Sequence, residues 1–201
     1  MTVSDLLRES AWLPMALRRP SPNHDARPVG VAVDLLVIHS ISLPPGQFGG
    51  PWIDALFMNR PVWSALPDLR ELAGLRVSAH LLIRRGGTLI QYVDLGARAW
   101  HAGESSFRGR RACNDFSIGI ELEGAEDFAY TREQYASLAA TTRHLRELFP
   151  MITPDRIVGH SDIAPRRKTD PGPRFDWVAY RRAITDNARS APRRCGGGGD
   201  P

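Results

Sequence analysis

The segment FSIGIELEG limits most strongly what this chain can fold into. Its apolar and polar residues alternate, which is the periodicity of a β-strand whose two faces meet different surroundings. One face carries Ile118, Ile120 and Leu122. The other carries two carboxylates, Glu121 and Glu123. The alternation predicts a strand that packs on its aliphatic face and directs its glutamates to solvent or into a cleft.

A helix follows this strand. Thr131 and Gln134 have the spacing of a capping box, and apolar residues then recur at helical intervals, so we expect a helix over 132–149. Shorter helices are predicted over 52–58 and 176–185. These elements alternate with predicted strands, which is typical of an α/β protein.

Three more segments favour extended structure. The aliphatic run VAVDLLVI at 31–38 predicts a buried strand that ends at His39. The stretch 77–93 contains two apolar runs separated by a Gly-Gly pair, which indicates an antiparallel hairpin. A brief strand over 157–158 is expected to end at Gly159 and His160.

The order of elements predicts one α/β domain, residues 1–188, with a central mixed β-sheet flanked by helices. A chain of 201 residues is long enough to bury a substantial core. We expect loops over 59–76 and 94–115, and a rigid, non-helical loop over 160–173. The tail 189–201 has no apolar periodicity and is predicted to be disordered.

Composition restricts the function classes. The formal charge of +4 comes from dispersed basic residues without interleaved aromatics, so solvated surface is favoured over nucleic-acid binding. Two cysteines do not make a disulfide framework, and neither a secretory segment nor a membrane span is evident. We expect a cytoplasmic monomer without nucleic-acid or membrane partners.

Two histidines and one aspartate are candidate metal ligands. His39 and His160 each follow a predicted strand, and Asp170 comes ten positions after His160. Two imidazoles and a carboxylate suit zinc with one position left for water. Taken singly, each residue is more often structural, a hydrogen-bonded histidine or a turn-forming aspartate, and the spacing alone leaves the trio open.

A carboxylate and a cation could complete such a site. Glu121 is the natural general acid and base, but Glu123 shares its strand face and either could be a solvated carboxylate. Lys168 is the only lysine in the chain and stands two residues before Asp170. A lysine offers an oxyanion a compact charge, although an ordinary surface lysine is the alternative.

Long stretches of the chain also resemble a known family. The segments VIHSISLPPGQFGGPWIDALF, RVSAHLLIRRGG, AWHAGESSFRGRRACNDFSIGIELEG and GHSDIAPRRKTDPGPRFDW are similar to the cytoplasmic N-acetylmuramoyl-L-alanine amidases that recycle 1,6-anhydro-muropeptides. The resemblance extends from about Trp12 to Trp177. It implies the zinc amidase and peptidoglycan-recognition fold.

The resemblance also implies roles for individual residues. His39, His160 and Asp170 would bind one zinc ion, Glu121 would transfer protons, and Lys168 would stabilise the transition state. The implied reaction is hydrolysis of the amide between the lactyl group of the muramoyl sugar and L-alanine in a small soluble muropeptide.

Substrate contacts are implied for Arg76, Trp100 and Ser40. Ser40 stands where the family pattern has Asn, and Ala112 stands where it has Arg, so peptide recognition is expected to differ in detail. Among the remaining histidines, His101 is the strongest candidate for a role because it adjoins Trp100.

Two alternative functions remain at this point. A non-catalytic peptidoglycan-binding module would share the fold, but loss of a metal ligand would mark it, and all three ligands are present. An envelope amidase that cuts polymeric cell wall would share the chemistry, and the missing signal peptide disfavours it.

Overall fold

The computed structural model describes residues 11–60, 72 and 74–185, and its main element is a six-stranded mixed sheet. The strands are β1 (Leu17–Arg18), β2 (His24–Ala26), β3 (Leu35–Ile41), β4 (Leu81–Ile83), β5 (Leu89–Gln91), β6 (Ala97–Ala99), β7 (Ser106–Phe107), β8 (Arg110–Arg111), β9 (Ser117–Glu123) and β10 (Ile157–Gly159). The helices are α1 (Trp52–Phe57), α2 (Arg132–Leu148), α3 (His160–Ile163) and α4 (Trp177–Thr185). Short 3₁₀ turns cover Cys113–Asp115 and Pro154–Arg156.

The sheet has the order β1-β5-β4-β9-β3-β10. Its centre is the parallel pair β3 and β9, and β4 and β5 form the antiparallel hairpin that the Gly-Gly pair predicts. Strands β2 and β6 pair separately, as do β7 and β8. The register places His39 directly beside Glu121. The predicted single α/β domain with a mixed sheet is confirmed.

Helices α2 and α4 cover one face of the sheet. Leu36, Ile38, Ile118, Ile120 and Leu122 point to this face and share its apolar core with residues of both helices. The opposite face packs on α1 and on the segments around the short strands, in two smaller apolar clusters. Since side chains alternate along a strand, this second face receives the histidine of β3 and the glutamates of β9.

The capping box of α2 forms as predicted. The Gln134 amide N–H donates to Thr131 Oγ1 and the Gln134 side chain accepts from the Thr131 N–H, both over 3.1 Å. The Gln134 side chain also donates to the Glu123 carbonyl over 2.9 Å. The residue that completes the capping box therefore also attaches the helix to the end of β9.

One prediction about strands was wrong in part, and another is narrowed. The strand predicted over 31–38 lies at Leu35–Ile41, because its pairing with β9 begins at Leu35 and continues to Ile41. His39 therefore lies within the strand instead of after it. All seven residues of β9 are buried, since both faces of this central strand are covered. Of the two surroundings predicted for its glutamates, solvent is excluded, and Glu121 faces a cavity.

Two predicted loops also contain regular structure. The region 94–115 includes β6, β7, β8 and a 3₁₀ turn, whose two or three residues are too few to show a periodicity. The segment after β10 begins with helix α3 and becomes a loop only near Pro165. The predicted tail 189–201 and most of the predicted loop 59–76 lie outside the described residues. Within the described ranges, no helix is both long and apolar enough to cross a membrane.

Candidate metal centre and active site

The three predicted metal ligands meet at one point. His39 Nδ1 lies 3.0 Å from His160 Nδ1, and Asp170 Oδ2 lies 3.2 Å from each of these nitrogens. His39 comes from the middle of β3, His160 begins α3, and Asp170 belongs to the loop that follows α3. The parallel pairing of β3 with β10 brings the two histidines to the same region of the sheet.

The chemistry of this donor set fits a zinc ion. His160 Nε2 lies 3.1 Å from the Ala102 carbonyl oxygen, which can only accept a hydrogen bond. Nε2 therefore carries the proton of this imidazole, and Nδ1 presents a lone pair. A tetrahedral ion bound at about 2.0–2.1 Å separates its ligand atoms by about 3.3–3.4 Å, close to the distances seen. The site therefore has the donors and the spacing that zinc requires.

Burial keeps the ligands in their metal-binding forms. Burial lowers the pKa of His39 to about 4, so its imidazole is neutral at physiological pH. Burial alone would raise the pKa of Asp170, but the close approach of His160 and His39 outweighs it and holds this pKa well below its usual range. A neutral imidazole and an ionised carboxylate are the forms that ligate a metal.

Glu121 is a buried carboxyl group close to the ligands. Its Oε2 has no hydrogen-bond partner within the part of the chain that the structure describes. Burial and the negative charge of Asp170 raise the pKa of Glu121 well above its usual range, against the opposing effect of Lys168. A carboxyl group with a raised pKa holds a proton more readily than an exposed glutamate, which suits it to accept and return one.

Glu123 has different surroundings. Its carboxylate accepts from the Gly49 N–H over 2.7 Å, from the Arg85 N–H over 3.1 Å and from Arg84 Nη1 over 2.8 Å. These bonds connect β9 to the hairpin and to the loop before α1. The second glutamate of the pair is thus occupied by structural contacts.

A cavity of about 200 Å³ surrounds the ligands. Its lining includes most of the other predicted site residues: Ser40, Trp100, Glu121 and Lys168. Arg76 is exposed and does not line the cavity, although its neighbours Leu75 and Val77 do. The structure therefore brings together every predicted site residue except Arg76.

The sequence indicated His101 only weakly. Its ring lies within hydrogen-bonding distance of His39, with 2.9 Å between His101 Nδ1 and His39 Nε2. The Ala102 carbonyl and the Asn114 side chain also belong to the site, and sequence reasoning missed both. A backbone carbonyl leaves no signal in the sequence. Gly119 is the one available indication, because it leaves room for the His101 ring.

Convergent candidate metal ligands beside a buried carboxyl group with a raised pKa are typical of one class of protein, the metal-dependent hydrolases. The family follows from comparison. Residues 29–173 match the family model described as N-acetylmuramoyl-L-alanine amidase, and the chain belongs to that family. It is an amidase with the activity for which the family is named, as the resemblance implied.

Individual relatives agree with this assignment. The chain is 57% identical over 176 residues to the 1,6-anhydro-N-acetylmuramyl-L-alanine amidase AmpD of Escherichia coli K12, covering 88% of this chain and 96% of that protein. A crystal structure of a selenomethionine derivative of AmpD superposes with a TM-score of 0.85 at 55% identity, covering 88% of this chain and 98% of the other. A complex of the amidase AmiD from E. coli with anhydro-N-acetylmuramic acid-L-Ala-D-γ-Glu-L-Lys has a TM-score of 0.57 at 28% identity, covering 78% and 60% of the two chains.

Proposed function

We propose that this chain hydrolyses the amide between the lactyl group of 1,6-anhydro-N-acetylmuramic acid and L-alanine in soluble muropeptides released for peptidoglycan recycling. The observation that carries the proposal is the meeting of three ligand atoms with Glu121 in one small cavity. The high identity to an amidase named for the anhydro sugar supports this substrate. The AmiD complex supports the same class of ligand.

The proposed cofactor is one zinc ion held by His39 Nδ1, His160 Nδ1 and Asp170 Oδ2. Zinc lowers the pKa of a bound water to about 7 and polarises a carbonyl group, which supplies a nucleophile at neutral pH. The chain contributes a preorganised donor set of two imidazoles and one carboxylate, so little rearrangement accompanies metal binding.

Glu121 is the proposed proton carrier. Its unpartnered oxygen can accept a proton from the attacking water and return it to the amine of L-alanine as the amide breaks. A raised pKa serves both steps, because the group must hold the proton between them. The buried position also keeps bulk water from competing for that proton.

Lys168 and three further residues are proposed to act on the substrate. The ammonium of Lys168 would stabilise the oxyanion that develops on the carbonyl. Ser40 and Trp100 line the cavity and would contact the lactyl group and the sugar. Arg76, at the exposed rim, would reach a carboxylate of the stem peptide. We also propose that the enzyme acts as a monomer in the cytoplasm.

The test compares two variants of one strand. Glu121→Gln removes the proton carrier, and Glu123→Gln is a matched control two residues away on the same face. Purified proteins are incubated with a defined anhydro-muropeptide, and the products are identified by mass spectrometry. We expect Glu121→Gln to lower turnover by about 10²- to 10⁴-fold. The control should keep turnover of the wild-type order.

Zinc content is measured on the same samples, and it should equal one ion per chain in both variants. Unchanged turnover in Glu121→Gln would refute the assigned role. An intact ligand after incubation with the wild-type protein would instead support a non-catalytic binding module. Digestion of intact sacculi at a rate equal to that of the soluble fragment would favour an envelope amidase.

A further inference from the structure

We propose that the dipeptide His101–Ala102 is a positioning element that sets the tautomer and orientation of both histidine ligands. The His101 ring contacts the outer nitrogen of His39 over 2.9 Å. The Ala102 carbonyl accepts from the outer nitrogen of His160 over 3.1 Å. Two consecutive residues thus control both imidazoles. The inference rests on the proposed zinc centre.

A chain of hydrogen bonds determines which nitrogen of His39 holds the proton. The Ser117 hydroxyl donates to the Cys113 carbonyl over 2.6 Å, so its oxygen is left to accept from His101 Nε2 over 3.2 Å. His101 Nδ1 is then an acceptor and takes the proton of His39 Nε2. His39 Nδ1 is left with its lone pair directed at the other ligands.

The position of the His101 ring is fixed by close packing. A Cβ at position 119 would lie 2.6 Å from the ring, so only glycine fits there. The ring also meets His39 edge-on, with 4.9 Å between centroids, and has His80 on another side at 5.7 Å. His101 therefore cannot turn away from His39 without displacing buried neighbours.

The backbone of the dipeptide is held as firmly. Asn114 Oδ1 accepts from the His101 N–H over 3.1 Å and from the Ala102 N–H over 2.8 Å. Arg167 donates to the same Ala102 carbonyl over 2.6 Å. Asn114 therefore holds the backbone N–H groups of the dipeptide, and Arg167 holds the Ala102 carbonyl that orients His160.

The first experiment measures zinc affinity by competition with a chromophoric chelator. Loss of such an outer-shell partner typically weakens metal binding by about 10- to 100-fold, and we expect this for His101→Phe. His101→Gln should recover most of the affinity, because its amide can accept from His39 and donate to Ser117. The control is His144→Gln, at a histidine of α2 that pairs with Glu147 and bonds neither ligand in the described structure, and its zinc affinity should stay close to the wild-type value. Wild-type affinity in a folded His101→Phe would overturn the proposal.

The second experiment needs no substitution, so it holds even if the variants misfold. Nitrogen-15 NMR of the zinc-loaded wild-type protein reports which imidazole nitrogen of His101 carries the proton. We expect His101 to be protonated at Nε2, so that its Nδ1 accepts from His39, and protonation of His101 at Nδ1 would overturn the proposal. A wild-type protein that binds no zinc would refute the proposed function, whereas a zinc-binding wild type with an unaffected His101→Phe would refute only the positioning role.

Discussion

At the scale of single residues, Glu121 and Glu123 show that two side chains of the same type can differ because their surroundings differ. They lie on the same face of β9 and both are buried. Glu123 has three donors around its carboxylate, whereas Glu121 retains an oxygen without a partner among the described residues. A carboxylate that is fully hydrogen-bonded stabilises the fold, and one that is not can react.

The raised pKa of Glu121 leads to a prediction about how the stability of the folded chain depends on pH. The folded chain holds the proton of Glu121 to a higher pH than the unfolded chain does, so this group costs stability as the pH rises above its usual pKa. In metal-free protein, Glu121→Gln should gain stability relative to the wild type as the pH rises above the usual pKa of a glutamate. Urea unfolding at several pH values measures this. A pH-independent difference would contradict the prediction.

A second prediction at this scale concerns Lys168. Lys168→Ala should lower kcat by about 10²- to 10³-fold, as removal of an oxyanion stabiliser does. Lys168→Arg should recover only part of that loss, because a planar guanidinium presents its charge differently from a compact ammonium. Steady-state kinetics on a defined anhydro-muropeptide provides the measurement. Arg166→Ala, at an exposed cation nearby, is the control and should leave kcat unchanged.

At the scale of elements, the register of β3 against β9 decides the site. His39 lies opposite Glu121, and both side chains point away from α2. A slip of β3 by one residue would move each of its side chains to the other face of the sheet and bury His39 among aliphatic side chains. The aliphatic residues that alternate on β9 therefore stabilise the geometry of the proposed catalytic site as well as the core.

A substitution at Gly119 in β9 tests whether the packing of this strand also supports the proposed metal site. Gly119→Ala should destabilise the protein by about 1–3 kcal/mol, because the added methyl overlaps the His101 ring. It should also weaken zinc binding if the ring is displaced from His39. Chemical denaturation and chelator competition measure the two effects. Gly86→Ala, where a methyl would meet open space, should be close to neutral, and equal effects at both positions would contradict the prediction.

At the scale of the whole molecule, the proposed metal ligands come from segments that are far apart in sequence. His39 and His160 are 121 residues apart, and they belong to β3 and α3. A ligand that binds only the folded state stabilises it by mass action. Bound zinc should therefore act as a cross-link between the centre of the sheet and the C-terminal loop.

Removal of zinc should lower the stability of the entire fold. With free zinc at about 100 times its dissociation constant, the stabilisation is about 2.7 kcal/mol, and a chelator should abolish it. Differential scanning calorimetry with and without chelator measures the fall in Tm. His160→Ala should show a Tm that does not respond to zinc. A wild-type Tm that is insensitive to chelator would contradict the proposed centre.

Local sequence patterns were sufficient to predict several elements of this protein and the residue types of its candidate site. The alternation in FSIGIELEG and the spacing of Thr131 and Gln134 specified β9 and the start of α2, because strand period and capping act over a few neighbouring residues. The two histidines and Asp170 were sufficient to indicate zinc, since residue type alone determines which atoms can ligate a metal. Their meeting in space was beyond what spacing could establish.

Tertiary structure decided what depends on distant partners. Strand β3 begins at Leu35 because β9 pairs with it from there, and no local signal carries that limit. The roles of Glu121 and Glu123 diverge because Arg84 and two backbone amides reach only the latter. The place of His101 beside His39 likewise depends on Gly119. Sequence determines which groups a chain possesses, whereas packing determines which of them remain free to react.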